Sequence, residues 1–446
     1  MTRTTLLRLI GALFGALGLL ATAAPQPEHR GLAILRAAES HHATGEHSAA
    51  AAAYRQAQQA FPTTPLPQYR LAALYRQWGY PMRGLAALDA APQQQPLPNA
   101  MRQLQMELLA DAGQWDALTD AAQRYLANHP ESVTALAHLA QAQLHEQACE
   151  AAQATARTWR QVAPESDAAR RTWATLALAE TPTAAATALC ESDAALCTAL
   201  NACADPAACD LPLGQALLRQ GETALATCVL NRAVAADPDS GDAHAWLGSA
   251  LDALGFTAEA GAHLEQATTL NPTSPLAWTL LGRHRLQRGN YTAAREALRT
   301  AHELDPGNPA LCLAMAAALA GESRYEEVRP WIEAALERAP SDPEIYKAAA
   351  HFYLARNFAQ GPYPLQIAEG AVALAPEDAE AQLLLGWSHL QTDAPEAALA
   401  ALTRAVALDP ELAQAHHLRG RAFQALERYD EADAAFVKAA DLGYQG

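Results

Sequence analysis

The stretch that decides the fold is Pro275–Asn308, PLAWTLLGRHRLQRGNYTAAREALRTAHELDPGN, a run of 34 residues. It predicts two short amphipathic helices. Trp278, Leu281 and Gly282 mark the first, Gly289 and Tyr291 the turn, and Ala294, Leu298 and Ala301 the second, which Pro306 ends. Each marker has a physical reason. A small residue in the first helix lets the second cross it closely, and large ones such as Leu281 and Leu298 fill the space between. Glycine at the turn permits backbone angles barred to residues with a Cβ. Proline removes a backbone donor and blocks continuation of the helix. Residues before it, such as Asp305 or Asn271, favour local turns.

The same register runs outward from this stretch. The terminating proline recurs at Pro62, Pro96, Pro130, Pro164, Pro238, Pro272, Pro306, Pro340, Pro376 and Pro410, spaced by 34 within each run and by 36 once, from Pro340 to Pro376. The turn position holds Gly45, Gly79, Gly113, Gly221, Gly255 and Gly289, and the Leu-Gly of the first helix appears at Leu213-Gly214, Leu247-Gly248, Leu281-Gly282 and Leu385-Gly386, with Arg419-Gly420 in the last unit. Ala226, Ala260, Ala294, Ala398 and Ala432 open the second helix in the same step.

This pattern resembles the tetratricopeptide repeat, a 34-residue helix–turn–helix unit. The resemblance implies an all-α solenoid of about twelve units, coiled into a right-handed superhelix and held by nearest-neighbour packing. The units are 31–64, 65–98, 99–132 and 133–166, an irregular unit 167–206, then 207–240, 241–274, 275–308, 309–342, 343–378 (with two extra residues around Gly361-Pro362), 379–412 and 413–446. The chain thus divides into a segment 1–24, an N-terminal array 25–166, the cysteine-containing unit 167–206 and a C-terminal array 207–446. Unit 167–206 reads either as a stapled insert between two arrays or as a decayed repeat kept in place by its neighbours, with the second favoured. In it Asp167–Glu180 and Thr183–Glu191 read as helices, and the stretch around Cys197 and Cys203 carries no repeat signature. The last unit stops at Asp441-Leu442-Gly443 without a capping helix.

Half of the 446 residues are hydrophobic (50%) and only 6% aromatic, which excludes a disordered chain and suits closely packed, alanine-rich helices. Residues 1–24, MTRTTLLRLIGALFGALGLLATAA, read as a secretory signal: Arg3 and Arg8, the apolar run Leu9–Leu20, then small residues for cleavage before Ala24. The alternative is a retained membrane anchor over residues 6–24, although the run falls short of the ~20 residues that span a bilayer comfortably. The chain is therefore expected outside the cytoplasm, periplasmic or extracellular. Its formal net charge of −17 argues against a nucleic-acid partner, because phosphate neutralisation needs basic surface.

An oxidising compartment makes disulfides plausible for the seven cysteines. Cys190, Cys197, Cys203 and Cys209 lie close together; four cysteines allow three connectivities and spacing does not choose among them. Pairing of sequence neighbours, Cys190–Cys197 and Cys203–Cys209, is the expectation taken. Cys312 occupies a core position, and the odd total leaves at least one thiol unpaired in a monomer.

No nucleophile elbow, P-loop, dinucleotide fingerprint or HExxH occurs, so no enzyme and no cofactor is expected. Histidines at 41, 42, 47, 145, 416 and 417 show no ligand spacing with a partner set, and no metal site is expected. What remains is a surface. The resemblance implies that the first helix of each unit lines a concave groove and that repeat positions two, five, nine and twelve face it. In the C-terminal array these are Arg283, Lys347, His351, Trp387, His417, Arg421 and Gln424, a basic and aromatic set suited to an acidic or carboxylate-bearing peptide. In the N-terminal array they are Glu39, His42, Tyr69, Arg76, Gln103, Glu107, Gln141 and His145, a more mixed face. For Trp387, edge packing between units is an equal alternative. The carboxylate clamp of chaperone-binding members of the family is absent. The expected function is a non-enzymatic adaptor or assembly scaffold for a protein or peptide partner; similar exported arrays serve cell-envelope assembly, secretion or exopolysaccharide export. The alternative is an accessory subunit of an envelope enzyme system, in polysaccharide export or modification or in cytochrome maturation, with thiol chemistry at the cysteine-rich unit. Bonded pairs there would be structural; a free, exposed pair of low thiol pKa would support redox work.

Overall fold

The structure is a computed structural model that describes residues 27–92, 98–203, 205, 209–356 and 362–444. The signal or anchor expected over residues 1–24 lies outside these, as do Pro96 and Gly361. Among the described residues the secondary structure is helical throughout, twenty-five α-helices and one 3₁₀ turn, with no strand. Twelve successive helix pairs stack as a solenoid: α1 (Pro27–Ala43) with α2 (His47–Ala60), α3 (Leu66–Gln77) with α4 (Pro81–Asp89), α5 (Asn99–Asp111) with α6 (Trp115–Leu126), and α7 (Val133–His145) with α8 (Cys149–Val162). Next come α9 (Asp167–Ala177) with α10 (Pro182–Ser192), then an additional helix α11 (Ala194–Asn201). The array continues with α12 (Asp210–Arg219) and α13 (Thr223–Ala236), α14 (Gly241–Ala253) and α15 (Thr257–Leu270), α16 (Pro275–Gln287) and α17 (Tyr291–Leu304), and α18 (Pro309–Gly321) and α19 (Val328–Arg338). It ends with α20 (Pro343–Arg356) and α21 (Tyr363–Leu374), α22 (Ala379–Gln391) and α23 (Pro395–Leu408), and α24 (Ala413–Ala425) and α25 (Tyr429–Asp441). No described helix is long and apolar enough to cross a membrane.

One contact repeats through the stack. A Cβ added to Gly282 of α16 would lie 2.6 Å from Cγ of Leu298 in α17; the same clash would occur between Gly248 and Leu264 (2.7 Å), Gly214 and Leu230 (2.5 Å), and Gly386 and Leu402 (2.5 Å). In the last unit Phe436 takes the leucine's place against Gly420. The missing side chain is filled by the partner helix's leucine, and Leu298, Leu230 and Leu402 are fully buried.

In ten of the units the turn between the helices is left-handed whatever residue occupies it. The expected glycines 45, 79, 113, 221, 255 and 289 have φ between +65° and +87°, and Gln147, Ser323, Asp393 and Glu427 adopt φ of +58°, +61°, +55° and +60° at the same register. A further periodic feature escaped the sequence reading. Ser132, Ser166, Ser240, Ser274, Asn308 and Asp378 each cap the first helix of a unit by accepting a backbone N–H. Such a cap contributes roughly 1 kcal/mol.

The irregular unit keeps the helical hairpin of a repeat in α9 and α10, and the stretch without repeat signature forms α11, whose first turn is capped by Asp193 through the N–H groups of Ala195 and Leu196. One hydrophobic core runs through the unit without interruption, from Leu144 and Trp173 to Leu230 and Leu251. Arg232 of α13 secures the junction: it donates to the carbonyls of Thr175 (3.0 Å) and Leu176 (2.7 Å) at the end of α9 and to Asp210 (2.7 Å) at the start of α12.

Gly282→Ala is expected to destabilise the chain by about 1–3 kcal/mol through overpacking against Leu298. Gln147→Gly, which relieves a left-handed residue, is expected to stabilise it by about 1 kcal/mol. Opposite shifts in the thermal midpoint check both, and a Gly282→Ala midpoint equal to wild type would remove the crossing contact from the account.

Candidate functional site: the concave wall of the C-terminal array

The residues expected on the groove separate into three groups. Arg283, on α16, is exposed and donates to Ser249 Oγ (3.2 Å) across to α14. Arg421 and Gln424, on α24, are exposed, and no carboxylate lies within ion-pair distance of Arg421 or Arg283 among the described residues. These arginines keep their charge open in a chain that is strongly acidic overall.

Trp387, His351 and Arg421 form the second group, around a cleft. The cleft encloses ≈ 390 Å³ and is lined by Leu354, Trp387, Leu390, Gln391 and Arg421. His351 meets Trp387 edge to face, with centroids 6.2 Å apart and planes at 81°. Trp387 is half-buried and packs against the core cluster of α20 to α24, so the same ring supports the units and floors the cleft. His417 is also half-buried, stacked on Tyr444 at 4.3 Å and beside Phe436. Burial, and then the neighbouring Arg421 charge, hold its imidazole below the ordinary histidine range. The positive charge of this wall therefore comes from the guanidinium groups.

Lys347 forms the third group, and its expected role as a groove cation is corrected. Only 7% exposed, it contacts Asp378 (2.9 Å), Glu344 (2.9 Å) and Glu380 (3.1 Å). Burial works against its charge, but hydrogen bonds to these carboxylates more than offset that and raise the ammonium above the usual lysine range. Asp378 is itself the cap of α22, so Lys347 ties one unit to the next. Its repeat position points toward the groove, but Glu344 of its own helix, Asp378 at the cap of α22 and Glu380 in α22 claim the charge.

On the N-terminal wall the polar side chains satisfy one another. Arg76 pairs with Glu107 (2.5 Å) and Asp111 (2.7 Å), Glu39 with Arg70 (3.7 Å), and His42 with Gln77 (2.6 Å). Gln103 donates to the Tyr125 hydroxyl (3.4 Å), Tyr69 is half-buried, and His145 stacks on Trp115 at 3.7 Å. Gln141 and His145 border a second cleft of ≈ 490 Å³ where α7, α9 and the start of α13 meet. Its arginine, Arg171, is held by Glu222 (2.7 Å) and Asp193 (3.6 Å), which neutralise it.

The cysteines also fall into place. The structure pairs Cys190 with Cys197, Cys203 with Cys209, and Cys149 of α8 with Cys228 of α13, the last with Cα atoms 5.8 Å apart across a sequence separation of 79. This third pair was missed because its members lie on either side of the irregular unit. Cys312 is free and buried, and burial raises its thiol pKa. Among the described residues the other six cysteines are all paired.

Models of the tetratricopeptide repeat match residues 32–64, 211–275, 247–309, 285–352, 365–413 and 413–442. With the helix pairs and their 34-residue register, these place the chain in the tetratricopeptide repeat family. No curated protein matches the sequence. Among solved structures the chain is similar to yeast Tom70, at 14% identity over 94% of this chain and 93% of that one, with a TM-score of 0.44. It is also similar to a tetratricopeptide repeat protein from Parabacteroides merdae, at 19% identity over 54% and 94% with a TM-score of 0.41, and to MamA from Desulfovibrio magneticus, at 24% over 38% and 94% with a TM-score of 0.33.

Closing a loop of this length by Cys149–Cys228 is expected to contribute about 4 kcal/mol through the unfolded state. Cys149→Ser with Cys228→Ser should therefore lower the thermal midpoint under non-reducing conditions. Reducing agent should move the wild type toward the variant. A linked Cys149–Cys228 peptide in a non-reducing digest of protein kept under oxidising conditions checks the pair itself, and its absence would refute it.

Proposed function

We propose that this chain is a non-enzymatic adaptor or assembly scaffold that works outside the cytoplasm and holds an acidic peptide or protein segment against the concave wall of its C-terminal array. The observation that carries the reading is an unneutralised Arg421 on a cleft that Trp387, Leu354 and Leu390 also line. A guanidinium that already had a carboxylate partner would offer an acidic ligand little. One left open beside Trp387, Leu354 and Leu390 suits a segment with a carboxylate next to an apolar side chain. Arg283, on α16 four units upstream of Arg421's, adds a second open guanidinium to the wall. Export is supported by the basic-then-apolar composition of residues 1–24 and by the three cysteine pairs, which persist in oxidising compartments.

Selection of random displayed peptides on the full chain should enrich acidic sequences with an apolar anchor. Arg283→Glu with Arg421→Glu should weaken the best of them at least tenfold, equivalent to about 1.4 kcal/mol, with helicity unchanged. Lys347→Met, in contrast, should lower stability, because three carboxylates lose their cation. Unchanged peptide affinity in the arginine variant would sink the groove reading. The N-terminal residue of the protein purified from its host tests export: a chain still beginning at Met1 would mean an anchor or no export.

A further inference from the structure

The last helix of the array meets the first units of the chain, and the chemistry of that meeting is specific. At its C-terminal turn α25 carries backbone carbonyls that no intrahelical N–H satisfies, the negative end of the helix dipole. Two carbonyls of this turn accept from donors 394 and 362 residues away: the Asp441 carbonyl from His47 Nδ1 at 2.5 Å, and the Ala440 carbonyl, which also accepts the Gly443 N–H at 3.0 Å, from Trp78 Nε1 at 2.7 Å. The relation is reciprocal. Helix α2 begins without a side-chain cap and without an acidic residue in its first turn. Its Ser48 N–H donates instead to the Asp441 carboxylate at 3.2 Å. Asp441 is only 6% exposed, so this carboxylate is enclosed by the contact rather than resting on a surface. His47 and Trp78 lie ring against ring at 5.7 Å, and a Cβ on Gly443 would stand 3.2 Å from the Trp78 carbonyl.

We infer that the chain's two ends form a latch that closes the solenoid on itself, and that residues Asp441–Tyr444 couple this latch to the groove. The second half follows from Tyr444. One residue beyond the contact of Gly443 with Trp78, its ring stacks on His417 of the concave wall at 4.3 Å. The same short segment thus holds the latch with one end and covers a groove side chain with the other. Whatever displaces Tyr444 from His417 pulls on Asp441, and whatever opens the latch uncovers His417; the coupling is reciprocal by linkage.

The coupling rests on the groove reading only for the role of the wall, so its test needs no ligand. In the full chain, Trp78→Phe with Asp441→Ala keeps the aromatic packing and removes two of the three hydrogen bonds. His417, remote from both substitutions, is probed by its rate of modification with diethylpyrocarbonate, followed by peptide mass spectrometry, and the shape by small-angle X-ray scattering with light scattering for mass. The variant is expected to keep its helicity, to show a larger radius of gyration as a monomer, and to modify His417 several-fold faster than wild type. Unchanged scattering would overturn the latch. Expanded scattering with an unchanged His417 rate would overturn the coupling. A wild-type mass of two chains that falls to one in the variant would place the contact between copies and overturn closure within one chain.

Discussion

The close crossing of the two helices in each unit is the constraint on which the rest of this structure depends. Leucine 298 can lie against the backbone of α16 only because Gly282 has no side chain, and the same holds for Leu264 on Gly248 and Leu402 on Gly386. Once the two helices are that close, the connecting turn has little room and must pass through left-handed backbone, which it does at glycine and non-glycine residues alike. The next unit then starts at a fixed offset, where a Ser, Asn or Asp caps its first helix. The 34-residue register is the sequence-level trace of this geometry. The concave wall is a further consequence, since stacking the units in one register places the first helices side by side.

The irregular unit changes what the two halves of the wall offer. Its core is continuous with its neighbours, and Arg232, Asp210 and the Cys149–Cys228 pair bind α8, α9, α12 and α13 into one block. The cations named on the N-terminal side of that block are spent internally, as with Arg76 between Glu107 and Asp111 and Arg171 between Glu222 and Asp193. On the C-terminal side, Arg283 and Arg421 carry no ion pair among the described residues, and Arg421 lines a cleft together with Trp387. Charge on a groove is available to a ligand only where the scaffold has not already claimed it, and this difference, rather than the count of basic residues, distinguishes the two walls.

Much of the fold was legible because it is local and periodic. The turn glycines, the Leu-Gly pairs and the terminating prolines each report a contact within one unit, and a single unit of 34 residues displays them all. The capping residues, such as Ser240 and Ser274, carried the same period and were readable in principle. What the sequence hid is non-local. Cys149 and Cys228 are 79 residues apart, and periodicity is silent across the interrupted unit. Lys347 sits at a groove-facing position of its repeat, but its fate depends on Asp378 and Glu380 at the start of α22. The contact of Asp441 with His47 and Ser48 joins the ends of the chain, where no sequence pattern relates one to the other. For the candidate wall, the positions of Arg283 and Arg421 could be read from the register; whether each charge was already paired could not.

The most direct test of the account is site-specific photo-crosslinking in the native host. A benzophenone side chain is placed at Gln424, exposed on the wall beside Arg421, or at Leu304, exposed on the second helix α17. A crosslinked adduct to a discrete acidic segment from Gln424 and none from Leu304 is the predicted result. Adducts from Leu304 alone, or equal adducts from both positions, would contradict the claim that the concave wall of the C-terminal array is the binding surface.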